Sequence, residues 1–319
     1  MVTIGYFLSC EEFGPHELVR QAEMAEQAGF ERLWISDHFH PWNDDQGNSP
    51  FVWSVIGALS QVTTLPITTA VTCPILRIHP AIVAQAAATA ALQCEQRFAL
   101  GVGSGEALNE HVFGDRWPPA DVRLDMLEEA VEVIRELLTG RQVTHRGNHF
   151  TVENARLYTV PPEPVPIYVS AFGRRAAQLA GRIGDGFAST LADHDLVRTF
   201  RDNGGGRGPA QAGFKVCWAD TADEALGTAH QRWAHEQLPG QLAQVLCTPH
   251  QFEQASSLVS REAVERAVPC GPEIERPLDM IERFADCGYD EVYVQQIGPD
   301  QDSFFQAWQQ HVLPRIRSS

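Results

Sequence analysis

The segment Ser36-Asp37-His38-Phe39-His40-Pro41-Trp42 sets two imidazoles, a carboxylate and two aromatic rings in seven positions, directly after a short apolar run. A histidine that keeps one ring nitrogen hydrogen-bonded to a carboxylate can use the other as a general base near neutral pH, and Asp37 is the adjacent candidate partner for His38. Phe39 and Trp42 would then wall an aromatic pocket. His38 and His40 at H-x-H spacing also read as a metal pair, with Asp37 or Glu106 as further ligands. No second histidine or carboxylate cluster at metal spacing accompanies them, so no metal is expected. The plain alternative is a turn capped by Asp37 beside surface histidines.

Two further segments carry candidate chemistry. GVGSGEALNE (101–110) falls short of a dinucleotide fingerprint: it follows the fourth strand-like run and lacks the full G-x-G-x-x-G form. Its glycines instead allow a ligand close to the backbone. Glu106 would point a carboxyl group into a site whose apolar walls raise its pKa and keep it available as a proton donor. SAFGRR (170–175) ends a strand-like run and opens a helical one, so Gly173 and the free N–H groups of that turn form a candidate anion site to which Arg174 or Arg175 could add charge.

The elements that must position these groups alternate along the chain. Strands are expected at 2–8, 32–37, 65–72, 97–103, 166–171, 186–190, 214–219 and 291–297, with amphipathic helices over 16–30, 51–64, 79–94, 123–140 and 174–184 and a hairpin over 143–153. Eight strands alternating with helices point to a single (β/α)8 TIM barrel over 1–319, with a helical insertion at about 230–285; five or six would have pointed to a doubly wound sheet. In such a barrel the chemistry lies at the C-terminal strand ends. Those ends carry Glu11, Asp37, His38, Trp42, Ala70, Val71, Ser104, Glu106, Asn109, Ser170, Gly173, Arg174 and Thr190.

Composition narrows the partners. With 41 acidic against 24 basic residues the net charge is −17, and no basic run occurs, so nucleic acid and anionic membrane are poor partners. Lys215 is the sole lysine, so a phosphate grip must come from arginine, backbone N–H groups or helix N-termini. Seven scattered cysteines without metal spacing read as reduced thiols, and neither a leader-like N-terminus nor a run of 18 apolar residues is present. A cytoplasmic protein is expected.

Taken together, the strand-end residues resemble the luciferase-like barrel enzymes that use the deazaflavin coenzyme F420, a group that includes the F420-dependent glucose-6-phosphate dehydrogenases. The resemblance rests on SDHF-x-PW at Ser36–Trp42 and GVG-[ST]-GEALNE at Gly101–Glu110, and extends through GYFLSCEEF, HPAIVAQA and AGRIGDGF to about residue 225. It implies hydride transfer between the deazaflavin and an alcohol or carbonyl substrate. His38 would be the base, Trp42 would pack over the reacting groups, Glu106 would be an acid near the ring, and Glu11 a second proton-transfer candidate. His38 and Glu106 would then face each other across the bound ring. Asp37, Ser104, Gly105, Asn109, Ser170 and Ala171 would contact the coenzyme, and Gly173, Arg174 and Thr190 its phosphodiester arm. A non-prolyl cis peptide behind the ring would fall at Ala70-Val71. A homodimer through helices near strands two and three, including FVWSVIGAL, is likewise implied.

The chain departs from that pattern where a sugar phosphate would sit. Asp193, in TLADHD, stands where a lysine is expected, and the 250–280 stretch offers only Arg261, Arg266 and Arg276. An acidic group there repels a phosphate, which favours a neutral alcohol, aldehyde, ketone or activated alkene. The competing readings are an FMN-dependent monooxygenase of the same barrel superfamily, a metal-dependent hydrolase and a non-enzymatic binding barrel.

Overall fold

The computed structural model describes residues 2–318. Strand β1 (Thr3–Leu8), helix α1 (Pro15–Ala28), β2 (Arg32–Ile35), α2 (Val52–Leu59), β3 (Ile67–Thr69), α3 (Pro80–Gln93) and β4 (Phe98–Val102) open the chain. A short α4 (Ala107–Glu110), the long α5 (Ala120–Leu138) and an outlying antiparallel hairpin, β5 (Val143–Arg146) with β6 (Thr151–Ala155), precede β7 (Ile167–Ser170). Then follow α6 (Arg174–Ile183), β8 (Gly186–Ser189), α7 (His194–Phe200) and β9 (Ala210–Val216). Omitting the hairpin, the strands close into a parallel barrel in the order β1-β10-β9-β8-β7-β4-β3-β2, where β10 is Glu291–Gln296. The expected (β/α)8 architecture is the one observed, and its strands are buried on both faces, as parallel strands under a ring of helices must be.

Side chains fill the barrel interior in layers. Near the N-terminal end, Gln211 donates to Glu291 Oε2 at 2.9 Å, Tyr293 Oη donates to the same oxygen at 2.7 Å, and Trp34 Nε1 donates to Gln211 Oε1 at 2.8 Å. Above this polar floor lies an aromatic plug. Trp34 stacks on Tyr293 with centroids 4.4 Å apart, and Phe7 meets Trp34 edge-to-face at 5.6 Å. The plug fits because two strand positions lack a side chain: a Cβ on Gly5 would lie 2.3 Å from the Tyr293 ring, and one on Gly213 2.6 Å from the Trp34 ring. Only the opposite, C-terminal end remains for a site.

Gly213 also bears on the strand whose start differs most from expectation. The strand is expected over 214–219, yet β9 runs over Ala210–Val216, where Gly213 makes room for Trp34. The stretch after β9 has a definite organisation too. Helix α8 (Ala222–Trp233) leads into α9 (Leu242–Val245), α10 (Pro249–Ser256) and α11 (Arg261–Ala267), whose Phe252 and Val264 join Trp233 and Trp42 in an apolar cluster separate from the main core. Helix α12 (Glu275–Asp286) instead packs on the barrel, with Phe284 stacked on Phe214 at 5.8 Å and Ile281 in the main core. The chain ends in α13 (Gln301–Ala307) and α14 (Leu313–Ser318). No helix among the described residues is long and apolar enough to cross a membrane.

Because backbone and ring cannot both give way, Gly213→Ala should lower unfolding stability by about 1–3 kcal/mol in urea denaturation. An unchanged midpoint would contradict the tight plug.

Candidate functional site

The site starts from the register of β1 on β2. Leu8 pairs with Ile35, and equal offsets past this pair bring Ser9 and Ser36, then Glu11 and His38, together. Ser36 Oγ donates to Glu11 Oε2 at 2.6 Å and Ser9 Oγ to the same oxygen at 2.9 Å, while Glu11 Oε1 lies 3.3 Å from His38 Nε2. Burial alone would raise the pKa of this 3 %-exposed carboxyl; the imidazole and the two hydroxyls outweigh that and hold it below the usual carboxylate range. The carboxylate serving His38 is therefore Glu11, not the adjacent Asp37. Successive residues of an extended chain point to opposite faces.

The other ring nitrogen has two partners of opposite kind. His38 Nδ1 lies 3.1 Å from the carbonyl of His40 and 3.1 Å from Asn109 Nδ2. Asn109 is oriented by Oδ1, which accepts the backbone N–H groups of Phe39 at 2.9 Å and His40 at 3.2 Å. With Nδ1–H donated to the carbonyl, Nε2 can gain or lose a proton while that bond persists. His40 turns its own Nδ1 to the Leu108 carbonyl at 2.9 Å, so the H-x-H pair does not converge. Among the described residues no three His, Cys, Asp or Glu side chains group to hold a metal ion.

Glu106 precedes α4 but makes no cap with its side chain. Its Oε2 lies 3.9 Å from His38 Nε2 and accepts weakly from Asn109 Nδ2 at 3.4 Å. The side chain is 32 % accessible at the mouth, yet protein encloses it on all other sides. That desolvation, only partly opposed by His38, pushes its pKa up to about 7. The expectation that His38 and Glu106 face each other across a ring fails on distance, since a planar ring needs roughly 7 Å between flanking groups. The two stand side by side, and a ring can only lie along them.

Asp37 points to the opposite side. Its Oδ2 accepts from Thr72 Oγ1 at 2.8 Å and its Oδ1 from Arg77 Nη2 at 2.7 Å, while Glu110 Oε2 accepts the Arg77 backbone N–H at 2.8 Å. This buried set ties the ends of β2, β3 and β4 together. Between them the Ala70-Val71 peptide is cis, as the resemblance implies. Gly103 leaves room for Val71, whose Cγ2 would be 2.7 Å from an added Cβ, and Gly105 adopts φ +75° with Cys73 Sγ 2.5 Å from where a Cβ would be.

Trp42 forms the opposing wall. Its ring centroid is 5.0 Å from that of His38 and stacks on His235 at 4.6 Å, with Phe252 edge-on at 5.0 Å. Behind it, Trp233 Nε1 donates to Glu12 Oε1 at 2.7 Å and the Gly298 N–H to Oε2 at 3.1 Å. Burial pushes the Glu12 carboxyl up to about 7. On the far rim, Ser170 and Ala171 end β7, Gly173 and Arg174 open α6, and Thr190 follows β8. Gly173, Arg174, Arg175 and Thr190 are exposed, a Cβ on Gly173 would meet nothing within 4 Å, and neither arginine pairs with a described residue. Ser104 lies half-buried between the two rims.

The sequence reading gives no role to Ser9, Arg77, His235 or Gln295, and takes Ser36 only as part of the SDHF-x-PW motif. Lys215 was noted only for its solitude. That solitude on an otherwise apolar strand was the one local signal among them; the rest depend on strand register or on the irregular helical region.

The luciferase-like monooxygenase family matches residues 2–295 of the chain. An F420-dependent glucose-6-phosphate dehydrogenase of Nakamurella multipartita is 35 % identical, covering 99 % of this chain and 97 % of its own, and one of Microbacterium testaceum is 33 % identical over 98 % and 97 %. A solved F420-dependent secondary alcohol dehydrogenase, in complex with an F420-acetone adduct, superposes with a TM-score of 0.92 at 32 % identity, covering 99 % of both chains. This chain belongs to the luciferase-like family. The cis peptide, the paired strand-end carboxyls and the open α6 N-terminus lie at the mouth of this luciferase-like barrel. An α6 N-terminus with free N–H groups and two unpaired guanidinium groups fits an anionic coenzyme arm.

Because His38 lowers the pKa of both Glu11 and Glu106, its removal should raise both. Carboxyl-selective 13C NMR titration of His38→Ala should show both midpoints moving upward. Unmoved midpoints would break the coupled triad.

Proposed function

We propose that this protein is an F420-dependent oxidoreductase that transfers hydride between the deazaflavin ring and the carbinol or carbonyl carbon of a small neutral alcohol or ketone. The observation that carries this is His38 Nε2 held 3.3 Å from Glu11 and 3.9 Å from Glu106 beside Trp42 at the barrel mouth. Relatives above 30 % identity that span nearly the whole chain are F420-dependent enzymes, which supports the deazaflavin over a flavin. When bound, the coenzyme supplies a two-electron hydride acceptor or donor.

The chain's own residues handle protons and orientation. In the oxidative direction His38 Nε2 takes the hydroxyl proton as the carbinol carbon loses hydride and becomes a carbonyl; in reverse it returns that proton. Glu11, held ionised, stabilises the resulting imidazolium. Trp42 confines the substrate and excludes water. Glu106 keeps a proton near neutral pH and acts as the acid. Ala70, Val71, Ser104, Gly105, Asn109, Ser170 and Ala171 would line the ring's binding site, with Asp37 bracing that wall from behind through Thr72 and Arg77, and Gly173, Arg174 and Thr190 would hold its phosphodiester arm.

A neutral substrate is supported by where the candidate phosphate ligands go. Asp193 caps α7, accepting from Asp195 N at 2.8 Å and Leu196 N at 3.4 Å. Arg261 is bound to Asp223 at 2.7 Å and Arg276 to the Glu265 carbonyl at 2.5 Å. Asp193, Arg261 and Arg276 thus serve helix ends and helix contacts. The same reading carries a cytoplasmic location, supported by seven free cysteines, and a homodimer, supported by Phe51 and Ile82, each 55 % exposed around α2 and α3.

With secondary alcohols and oxidised coenzyme, His38→Ala should lower kcat by about 10² to 10⁴ while the coenzyme still binds. Wild-type turnover in this variant would remove His38 from the mechanism. Glu106 carries its proton below its pKa of about 7 and loses it above. Turnover should therefore decline on the alkaline side with a midpoint near neutrality, and Glu106→Gln should abolish that limb. A limb that survives the substitution would assign it to another group.

A further inference from the structure

We infer that the Lys215–Glu236 ion pair sets the charge selectivity of the substrate chamber: with the pair closed the chamber accepts neutral alcohols and rejects anionic ones, and Glu236 is the residue that enforces this. The inference rests on the function proposed above and names the substrate class of the same site.

Lys215 points into the barrel from the C-terminal end of β9, pairing in register with Gln295 of β10. Its ammonium lies 4.1 Å from the Trp233 ring centroid and 5.9 Å from that of Phe7, the top of the aromatic plug. Its charge is met by the Glu236 carboxylate. From Lys215 a continuous set of contacts reaches the reactive centre: Trp233 is 5.2 Å from His235, His235 4.6 Å from Trp42, and Trp42 5.0 Å from His38.

The pair is asymmetric in depth. Lys215 is 8 % accessible and Glu236 34 %, so the carboxylate is the more exposed member of the pair and the cation the more buried. The remaining polar groups around it are neutral. His235 is buried with both ring nitrogens unpartnered, as are both amide atoms of Gln295, and burial together with Lys215 and His38 keeps His235 well below its usual pKa. The other cations near the mouth are committed: Arg77 to Asp37 and Glu110, Arg123 to the Pro118 carbonyl and Gln244, and Arg232 to Glu12 at 3.9 Å. Arg174 and Arg175 lie on the opposite rim. With Lys215 cancelled and Glu11 ionised, nothing on the substrate side attracts an anion. Removing the Glu236 charge would release a buried cation, whose field is little screened.

Pentan-2-ol and 3-hydroxybutyrate are near-isosteric secondary alcohols that differ by one carboxylate, and they test this directly. The ratio of kcat/KM for 3-hydroxybutyrate over pentan-2-ol should rise about tenfold or more in Glu236→Gln, and Lys215→Met combined with Glu236→Gln should return it to the wild-type value. The same ratio read as Kd, by quenching of tryptophan fluorescence with Trp42 and Trp233 lining the chamber, should move in parallel. A Glu236→Gln protein that is folded by circular dichroism and has the wild-type ratio in binding overturns the inference, as does a gain that persists in the double variant. Absence of turnover with either alcohol in the wild type counts instead against the oxidoreductase reading, and the binding ratio still decides the charge selectivity.

Discussion

The structure depends on a single contact, the one between the Glu11 carboxylate and the His38 imidazole. A buried carboxylate survives only when it is paired and hydrogen-bonded, and Glu11 obtains both from residues placed by strand register. Leu8 and Ile35 sit opposite each other in the ladder, so residues one and three positions beyond them meet as Ser9 with Ser36 and Glu11 with His38. A slip of one residue between β1 and β2 would turn every one of these groups to the other face. The aromatic plug beneath, packed into the spaces of Gly5 and Gly213, prevents that slip and sets the height at which the polar groups emerge.

Around this pair the two carboxyl groups are driven apart in basicity by their surroundings. Glu11 has two hydroxyl donors and an imidazole and stays ionised; Glu106 has one weak amide donor and retains its proton to about pH 7. Such divergence lets one small site hold a charge-stabilising group and an acid at once. Asp37 takes a third role, locked with Thr72, Arg77 and Glu110 in a brace beside the cis peptide.

Much of this is readable from the chain, for identifiable reasons. Barrel strands buried on both faces leave apolar runs at regular spacing, so eight units could be counted, and residues just past those runs include His38, Trp42 and Glu106. The partner of His38 was misread as Asp37 because neighbours in sequence lie on opposite faces of an extended segment, whereas Glu11 is its neighbour only through a ladder between two strands. Asn109 has a further part that the sequence does not reveal: its Oδ1 accepts the Phe39 and His40 N–H groups and so orients the 38–40 backbone. His235 and Gln295 carry no local pattern at all: one lies in an irregular helical stretch and the other is a polar position in an apolar strand. Asp193, which stands where the resemblance leads one to expect a lysine, is a helix cap.

Single-turnover kinetics of Glu11→Gln test the central pair most directly. The variant, mixed anaerobically with oxidised F420 and pentan-2-ol, should bind the coenzyme with wild-type affinity. It should bleach the deazaflavin at least about tenfold more slowly, with a pH dependence of the rate that differs from the wild type. A Glu11→Gln enzyme with the wild-type rate and pH profile would contradict the account.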